Sequence, residues 1–306
     1  MRLYLIRHGE TVDNVAQLYA GSRDSPLTNH GFQQATRLGQ HLHSQGVKFS
    51  RVFSSDLQRA VKTAEQVLKP HAEQDDVVPH TKVALIREQD FGSFEGATFL
   101  PRAKAPGIPL AHEVDANAAY HVPMESIDSM ERRVDEFLAD HLISAVHGTE
   151  RLENQSIAVV SHGITLSVMW GRLLARFLPT KSVAFHQDLS SLRSPPSLEG
   201  LGNWSNTGYL ELDLFRGPET VLRGLKEPAP DTDTEVVAET TVVMQQDKEK
   251  SESVVLTLDG WTTTIRVVNG RDHLTGLKRT RGGVGSSRFG FLVEPLVVAW
   301  SSRWRH

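Results

Sequence analysis

The chain has 306 residues, 39% of them hydrophobic and 23% charged, which is ordinary for a soluble protein and leaves room for one large domain or two small ones around a substantial core. It contains no cysteine, which excludes disulfides and thiolate chemistry, and its formal net charge of -4 gives no general attraction to nucleic acid. No stretch approaches the roughly 20 apolar residues of a membrane span, and Arg7 and His8 cut the first apolar run too short for a signal peptide, so cytosol or nucleus is the expected location.

Leu3 to Ile6 is a short apolar run, long enough for one buried strand, and it ends in Arg7-His8-Gly9. In open α/β sheets the C-terminal ends of strands are where ligands bind. Imidazole is a good nucleophile near neutral pH, a guanidinium grips a phosphate or carboxylate with paired hydrogen bonds, and Gly9 allows the backbone to approach a bound anion. Asn14 to Asp24 reads as a loop rich in small and polar residues. Thr28 is an expected N-cap for a helix over about 30–43, with Phe32, Ala35, Leu38 and Leu42 on its buried face and Gly46 at its end. His41 and His43 point in different directions on that helix and are expected at the surface.

Val52-Phe53 begins a second strand, and Ser55 with Gln58 resembles a capping box opening a helix to about Leu68. Arg59 lies in its first turn, where free N–H groups and the helix dipole suit an anion. Val77 to Ile86 is extended in character and leads to Arg87 and Glu88. Residues 97–125, broken by Pro101, Pro106, Gly107, Pro109 and Pro123, read as an irregular insertion over a site, with Arg102 and Lys104 more simply solvated than substrate-binding. Ser126 to about Val146 is helical, its apolar stripe being core.

Ile157 to Val160 is a second apolar run of the first kind, ending in Ser161-His162-Gly163 and followed by a helix to Leu178. Two strand-His-Gly units in one chain point to two imidazoles at one sheet edge. Residues 180–203 read as loop, and Tyr209 to Leu214 as an alternating strand that closes the sheet. Residues 226–253 have the composition of an acidic, flexible linker. Val254 to Leu258 and Thr262 to Val268 are expected to pair around Asp259-Gly260. From Trp261 to His306 there are eight Lys or Arg against two Asp or Glu, a net of +6, so the first 260 residues carry -10. This basic extension, 254–306, is expected to be partly disordered. Its Lys278-Arg279-Thr280-Arg281 cluster could contact nucleic acid or a protein, although short basic runs are more often solvated.

These segments, in this order, resemble the histidine phosphatase superfamily, in its phosphoglycerate-mutase-like branch. The resemblance rests on Arg7-His8-Gly9-Glu10-Thr11, Asn14, the G-x-x-D-x-x-L-T run from Gly21 to Thr28, Ser54-Ser55-Asp56-Leu57-Gln58-Arg59-Ala60, the stretch from Arg87 to Gly96, and Val160-Ser161-His162-Gly163, and it covers about residues 1–215. It implies a three-layer α/β/α sandwich with a mainly parallel sheet, carried by a catalytic domain over 1–225, and it agrees with the strand–helix alternation.

The resemblance implies a phosphomonoesterase acting on a small phosphorylated substrate, with His8 as the nucleophile that becomes phosphohistidine. Arg7, Arg59 and His162 would supply charge around the phosphoryl oxygens, and Asn14, Gly21 and Gly163 would join them in binding the substrate. The second nitrogen of His8 needs a fixed acceptor to set the tautomer, and the sequence does not name it. One carboxyl group must protonate the leaving alkoxide and later deprotonate water. On spacing alone Glu10, Glu88, Asp90 and Glu95 all qualify; the resemblance favours Glu88, with Glu10 bracing the site and the others structural. No metal or cofactor is expected. A phosphoglycerate mutase and a non-catalytic scaffold with a binding tail are the competing readings. The oligomeric state is not legible.

Overall fold

The computed structural model describes residues 1–71, 77–99, 107, 109–111, 114–115, 120–148, 155–177, 183–190, 196–201, 203–216, 258 and 261–278. The linker 226–253, the segment before Leu258, Arg102, Lys104 and the basic residues after Lys278 lie outside them, and with them the expected tail contacts.

Four strands run parallel on one side of the sheet: β1 (Arg2–Arg7), β2 (Phe49–Ser55), β3 (His80–Val83) and β4 (Ser156–Ser161). Strands β5 (Val183–Phe185), β6 (Tyr209–Arg216) and β7 (Trp261–Gly270) complete a seven-stranded sheet of order β3-β2-β4-β1-β6-β7-β5. β6 is antiparallel to both β1 and β7, while β5 is parallel to β7. The sheet is therefore mainly parallel, as expected.

Helices α1 (Val12–Ala16) and α5 (Ser144–His147) are short, and residue alternation on the central strands sorts the longer ones into two layers. Tyr4, Ile6, Ala158 and Val160 pack with Leu38 and Leu42 of α2 (Asn29–Ser44) and Ala60, Ala64 and Val67 of α3 (Gln58–Leu68). Leu3, Leu5, Ile157 and Val159 pack with Met130, Val134 and Phe137 of α4 (Ile127–Phe137) and Leu166, Met169 and Leu173 of α6 (Gly163–Phe177). Each strand is thus apolar on both faces because each face is covered. The sequence expected this three-layer α/β/α sandwich.

Helix α2 starts and stops as its sequence predicts: Thr28 accepts from the Gly31 N–H at 2.9 Å, and Gly46 takes a left-handed φ of +71° just past the end. Its Phe32, expected in the core, is 44% exposed, because it lies on the flank of the helix, about 100° round from the line of Leu38 and Leu42. The stretch 180–203, expected as loop, contains β5 and the short helix α7 (Gln187–Ser190). β6 was expected to close the sheet but lies inside it, since β7 and β5 continue beyond. The predicted strand at Thr262–Val268 forms as β7, bonded to β6 and β5; its expected pairing with Val254–Leu258 around Asp259-Gly260 lies, Leu258 apart, outside the described residues. Trp261 and Ile265 join the main core, so a stretch assigned by composition to the extension supplies an interior strand.

Candidate active site

All four parallel strands deliver residues to one edge. β1 and β4 are hydrogen-bonded neighbours with Arg7 opposite Ser161, so the residues that follow, His8 and His162, emerge side by side. The His8 N–H donates to Ser161 O at 3.0 Å, and the two ring centroids are 5.1 Å apart.

Each imidazole has one nitrogen committed. Nδ1 of His8 is 2.7 Å from Gly9 O. A carbonyl only accepts, so Nδ1 carries the proton and Nε2 is left bare. Gly9 O is the acceptor that the sequence could not name. Nδ1 of His162 accepts from Arg59 Nε at 3.1 Å. A guanidinium only donates, so the proton of His162 sits on Nε2, which is buried and has no hydrogen-bond partner among the described residues. Burial drives both imidazole pKa values well below 6.5, and the nearby Arg59 and Arg7 cations push in the same direction, so both rings are neutral at pH 7.

The two arginines play unequal parts. Arg7 Nη1 donates to Trp204 O at 2.6 Å, while its Nε is buried without a partner among the described residues. Arg59 is 1% exposed and spends its donors inside the protein. Besides His162, it reaches Arg23 O at 2.7 Å, Ala20 O at 3.2 Å and Gly21 O at 2.7 Å. It was expected to grip a phosphate directly, but here its guanidinium holds the 20–23 loop and contributes charge from behind His162. Nor does Ser55 form a capping box with Gln58. The N-cap is Leu57, and Asp24, from the loop that Arg59 holds, accepts from the Gln58 N–H at 2.8 Å.

Glu88 sits at the N-terminus of α6, where its carboxylate accepts from the N–H groups of Ile164 at 3.3 Å and Thr165 at 3.1 Å. Gly163 leaves the adjoining wall open: a Cβ there would lie 3.7 Å from Arg7 Nε and 4.0 Å from Glu88 Oε2. The other carboxylates are occupied in loop architecture. Glu10 Oε1 accepts from the Thr28 hydroxyl at 3.0 Å. Asp90 accepts from the Gly92 N–H at 2.7 Å, and Glu95 accepts from the N–H groups of Gly21, Ser22 and Phe91. Gly21, expected to contact substrate, therefore has its N–H on Glu95 and its carbonyl on Arg59. Asn14 Oδ1 accepts from Thr11 N–H and from Asn206 Nδ2, turning its amide NH2 end away from those bonds.

Gly9 was expected to serve anion approach. Its tight contact is instead with α2, since a Cβ would come 2.5 Å from Gly31 O, and a Cβ on Gly31 would overlap the Glu10 carbonyl. Several residues escaped the sequence reading. Thr63, one turn after Arg59, accepts from the Gly9 N–H at 3.0 Å and donates to Arg59 O at 2.7 Å. Arg133 pairs with both oxygens of Glu125 and donates to the carbonyls of Leu85, Arg87 and Glu88, fixing the backbone that presents Glu88. A polar residue on the buried face of an amphipathic helix was the available signal for Thr63; for Arg133 there was none. Among the described residues no cluster of His, Asp and Glu could hold a metal ion, and no helix is long and apolar enough to cross a membrane.

The model of the histidine phosphatase superfamily (branch 1) matches residues 3–194. The chain is 33% identical over 181 residues to an adenosylcobalamin/alpha-ribazole phosphatase of Escherichia coli, a match covering 57% of this chain and 79% of that protein. It is 42% identical over 96 residues to the broad-specificity phosphatase YOR283W of Saccharomyces cerevisiae, covering 31% of this chain and less than half, 41%, of that relative. The solved structure of mycobacterial hydrolase 1 superposes with a TM-score of 0.50 over 71% of this chain and 91% of that one, at 23% identity, a likeness of fold. The chain belongs to the histidine phosphatase superfamily, branch 1, and is accordingly an enzyme of the phosphatase type.

Proposed function

We propose that the chain is a phosphomonoesterase that hydrolyses a small phosphorylated metabolite through a phosphohistidine on His8. The observation that carries this reading is a pair of buried donors without acceptors among the described residues, Arg7 Nε and His162 Nε2, at the cup where His8 presents a bare nitrogen. Buried N–H groups are ordinarily bonded, so a cup with two spare ones is built for an anion that brings its own oxygens. Neutral His162 serves here as a hydrogen-bond donor rather than as a cation.

In the first step His8 Nε2 attacks phosphorus, the N–P bond forms, and the bond from phosphorus to the ester oxygen breaks with its electron pair leaving on that oxygen. Glu88 as the carboxylic acid supplies the proton that the leaving alkoxide needs. In the second step the Glu88 carboxylate takes a proton from water, the oxygen attacks phosphorus, and the N–P bond breaks to restore His8 and release phosphate. Arg7 and His162 donate to the equatorial oxygens throughout, and the Arg59 charge lies behind them. Glu88 enters the cycle from the N-terminus of α6, where it accepts from the Ile164 and Thr165 N–H groups, and the alcohol-releasing step uses it as the protonated acid.

The test is phosphate release from a panel of phosphorylated metabolites, combined with rapid quenching to trap acid-labile, base-stable phosphoprotein. The wild type is expected to label on His8, and His8→Ala to lose both label and turnover while keeping its fold. Normal turnover by His8→Ala would remove the nucleophile assignment. Interconversion of 3- and 2-phosphoglycerate without phosphate release would favour the mutase instead.

A further inference from the structure

The end of β1 is held from behind by residues 204–208. Trp204 O takes Arg7 Nη1, and Asn206 Nδ2 donates to His8 O at 3.2 Å and to Asn14 Oδ1 at 3.0 Å. The Thr207 N–H lies 3.1 Å from Arg7 O and 3.2 Å from His8 O. Three of the residues assigned to the site therefore take their positions from this one loop.

The loop is held in turn by β7 and the turn after it. Asn269 accepts from the Ser205 N–H at 2.9 Å and donates to Ser205 Oγ at 3.2 Å. His273 Nε2 is 2.9 Å from Thr207 Oγ1. That hydroxyl donates to Asn206 O at 2.7 Å, so it accepts from His273, whose proton is fixed on Nε2. Both partners are buried, Thr207 fully, and Thr207 holds a left-handed φ of +56° that a β-branched residue rarely adopts. Such a conformation persists only where neighbours over-determine it, and here those neighbours are Arg7, His8 and His273.

We propose that Asn269 and His273, at the end of β7 and in the turn after it, are a working part of the catalytic centre, and that His273 is a positioning residue acting on His8 through Thr207. The inference rests on the phosphohistidine reading above. His273 stays neutral over the working range, since burial, with His41 and Arg37 acting in the same direction, takes its pKa to about 4. Its role is to donate one hydrogen bond, and an amide at the same reach can replace it. Angular freedom at Thr207 would pass through two carbonyls to the attacking nitrogen, where a displacement near 1 Å costs on the order of 100-fold in rate.

The experiment compares the full-length wild type with His273→Ala, His273→Gln, Thr207→Val and a stability control, Ile265→Val, a core change in β7 at a residue that makes none of the loop's hydrogen bonds described above. With p-nitrophenyl phosphate, His273→Ala and Thr207→Val should lose about 10- to 100-fold in kcat with KM within about twofold. His273→Gln should recover most of that, and Ile265→Val should keep wild-type kcat despite a lowered Tm. A second readout needs no turnover: the His8 Nδ1–H proton, held by Gly9 O, gives a downfield NMR signal that should broaden in His273→Ala and stay sharp in Ile265→Val. Wild-type kcat in folded His273→Ala or Thr207→Val, or losses that track Tm equally in all variants, would overturn the proposal. A wild type inactive on every phosphate ester, with the NMR contrast intact, would remove the phosphatase reading and leave the positioning role standing.

Discussion

Arg59 Nε donates to His162 Nδ1 at 3.1 Å across 103 residues of sequence. One bond thus joins the α3 unit to the α6 unit and decides which nitrogen of His162 faces the cup. The same guanidinium closes the 20–23 loop through three carbonyls. Arg59→Met should therefore destabilise the protein by about 3 kcal/mol, since each buried carbonyl left unpaired costs about 1–3 kcal/mol. It should also cut kcat, because His162 loses its fixed tautomer. Urea unfolding and steady-state kinetics check both effects, and an unchanged midpoint would mean the loop does not depend on this residue.

The pH dependence follows from the two imidazoles. Burial, with Arg59 and Arg7 adding to it, lowers the folded-state pKa of both His8 and His162 well below 6.5. The unfolded chain then binds more protons than the native one below about pH 6.5, so stability is full above that pH and declines as pH falls toward the native pKa values. Activity should hold as pH drops through 6.5, because Nε2 of His8 remains unprotonated there. A pH profile of kcat/KM with an acid limb at 6.5 would contradict this. Removing the Arg59 charge should shift the limb upward.

Glu88→Gln keeps size and hydrogen-bonding reach but cannot transfer a proton. Loss of a general acid typically costs about 10² to 10⁴ in rate. The deficit should be large for an alkyl phosphate, whose alkoxide needs the proton, and small in the first step for p-nitrophenyl phosphate, whose leaving group does not. Equal deficits in burst rate for both esters would assign Glu88 a binding role only.

Gly31 sits against the backbone of Glu10, with no space for a Cβ. Gly31→Ala should cost about 1–3 kcal/mol, the usual penalty for overpacking. It should also lower kcat, because relief of the overlap moves the segment that carries His8. Thermal melts and kinetics on the purified variant test this, and an unaffected Tm would show that α2 can retreat without cost.

The sequence by itself determined the layering and the location of the chemistry. Apolar runs that stop in His-Gly read as buried strands opening onto a sheet edge, and the helical stripes of Leu38, Leu42, Val134 and Phe137 read as faces covered by a sheet, as they are in the fold. Local periodicity is physical information that the chain carries residue by residue. What tertiary structure alone decided is who bonds to whom. Arg59 reads as a phosphate ligand in sequence, but in the fold it meets four acceptors from distant segments and becomes a strut. The proton position on each imidazole depends on Gly9 O and on Arg59, and no spacing rule specifies either partner's direction. Residues 261–278 have a basic, extension-like composition, yet Trp261 and Ile265 find an apolar surface between β6 and β5 that exists only once the sheet has formed. Burial and hydrogen-bond pairing are properties of the assembled surface, so they cannot be read from a segment considered alone.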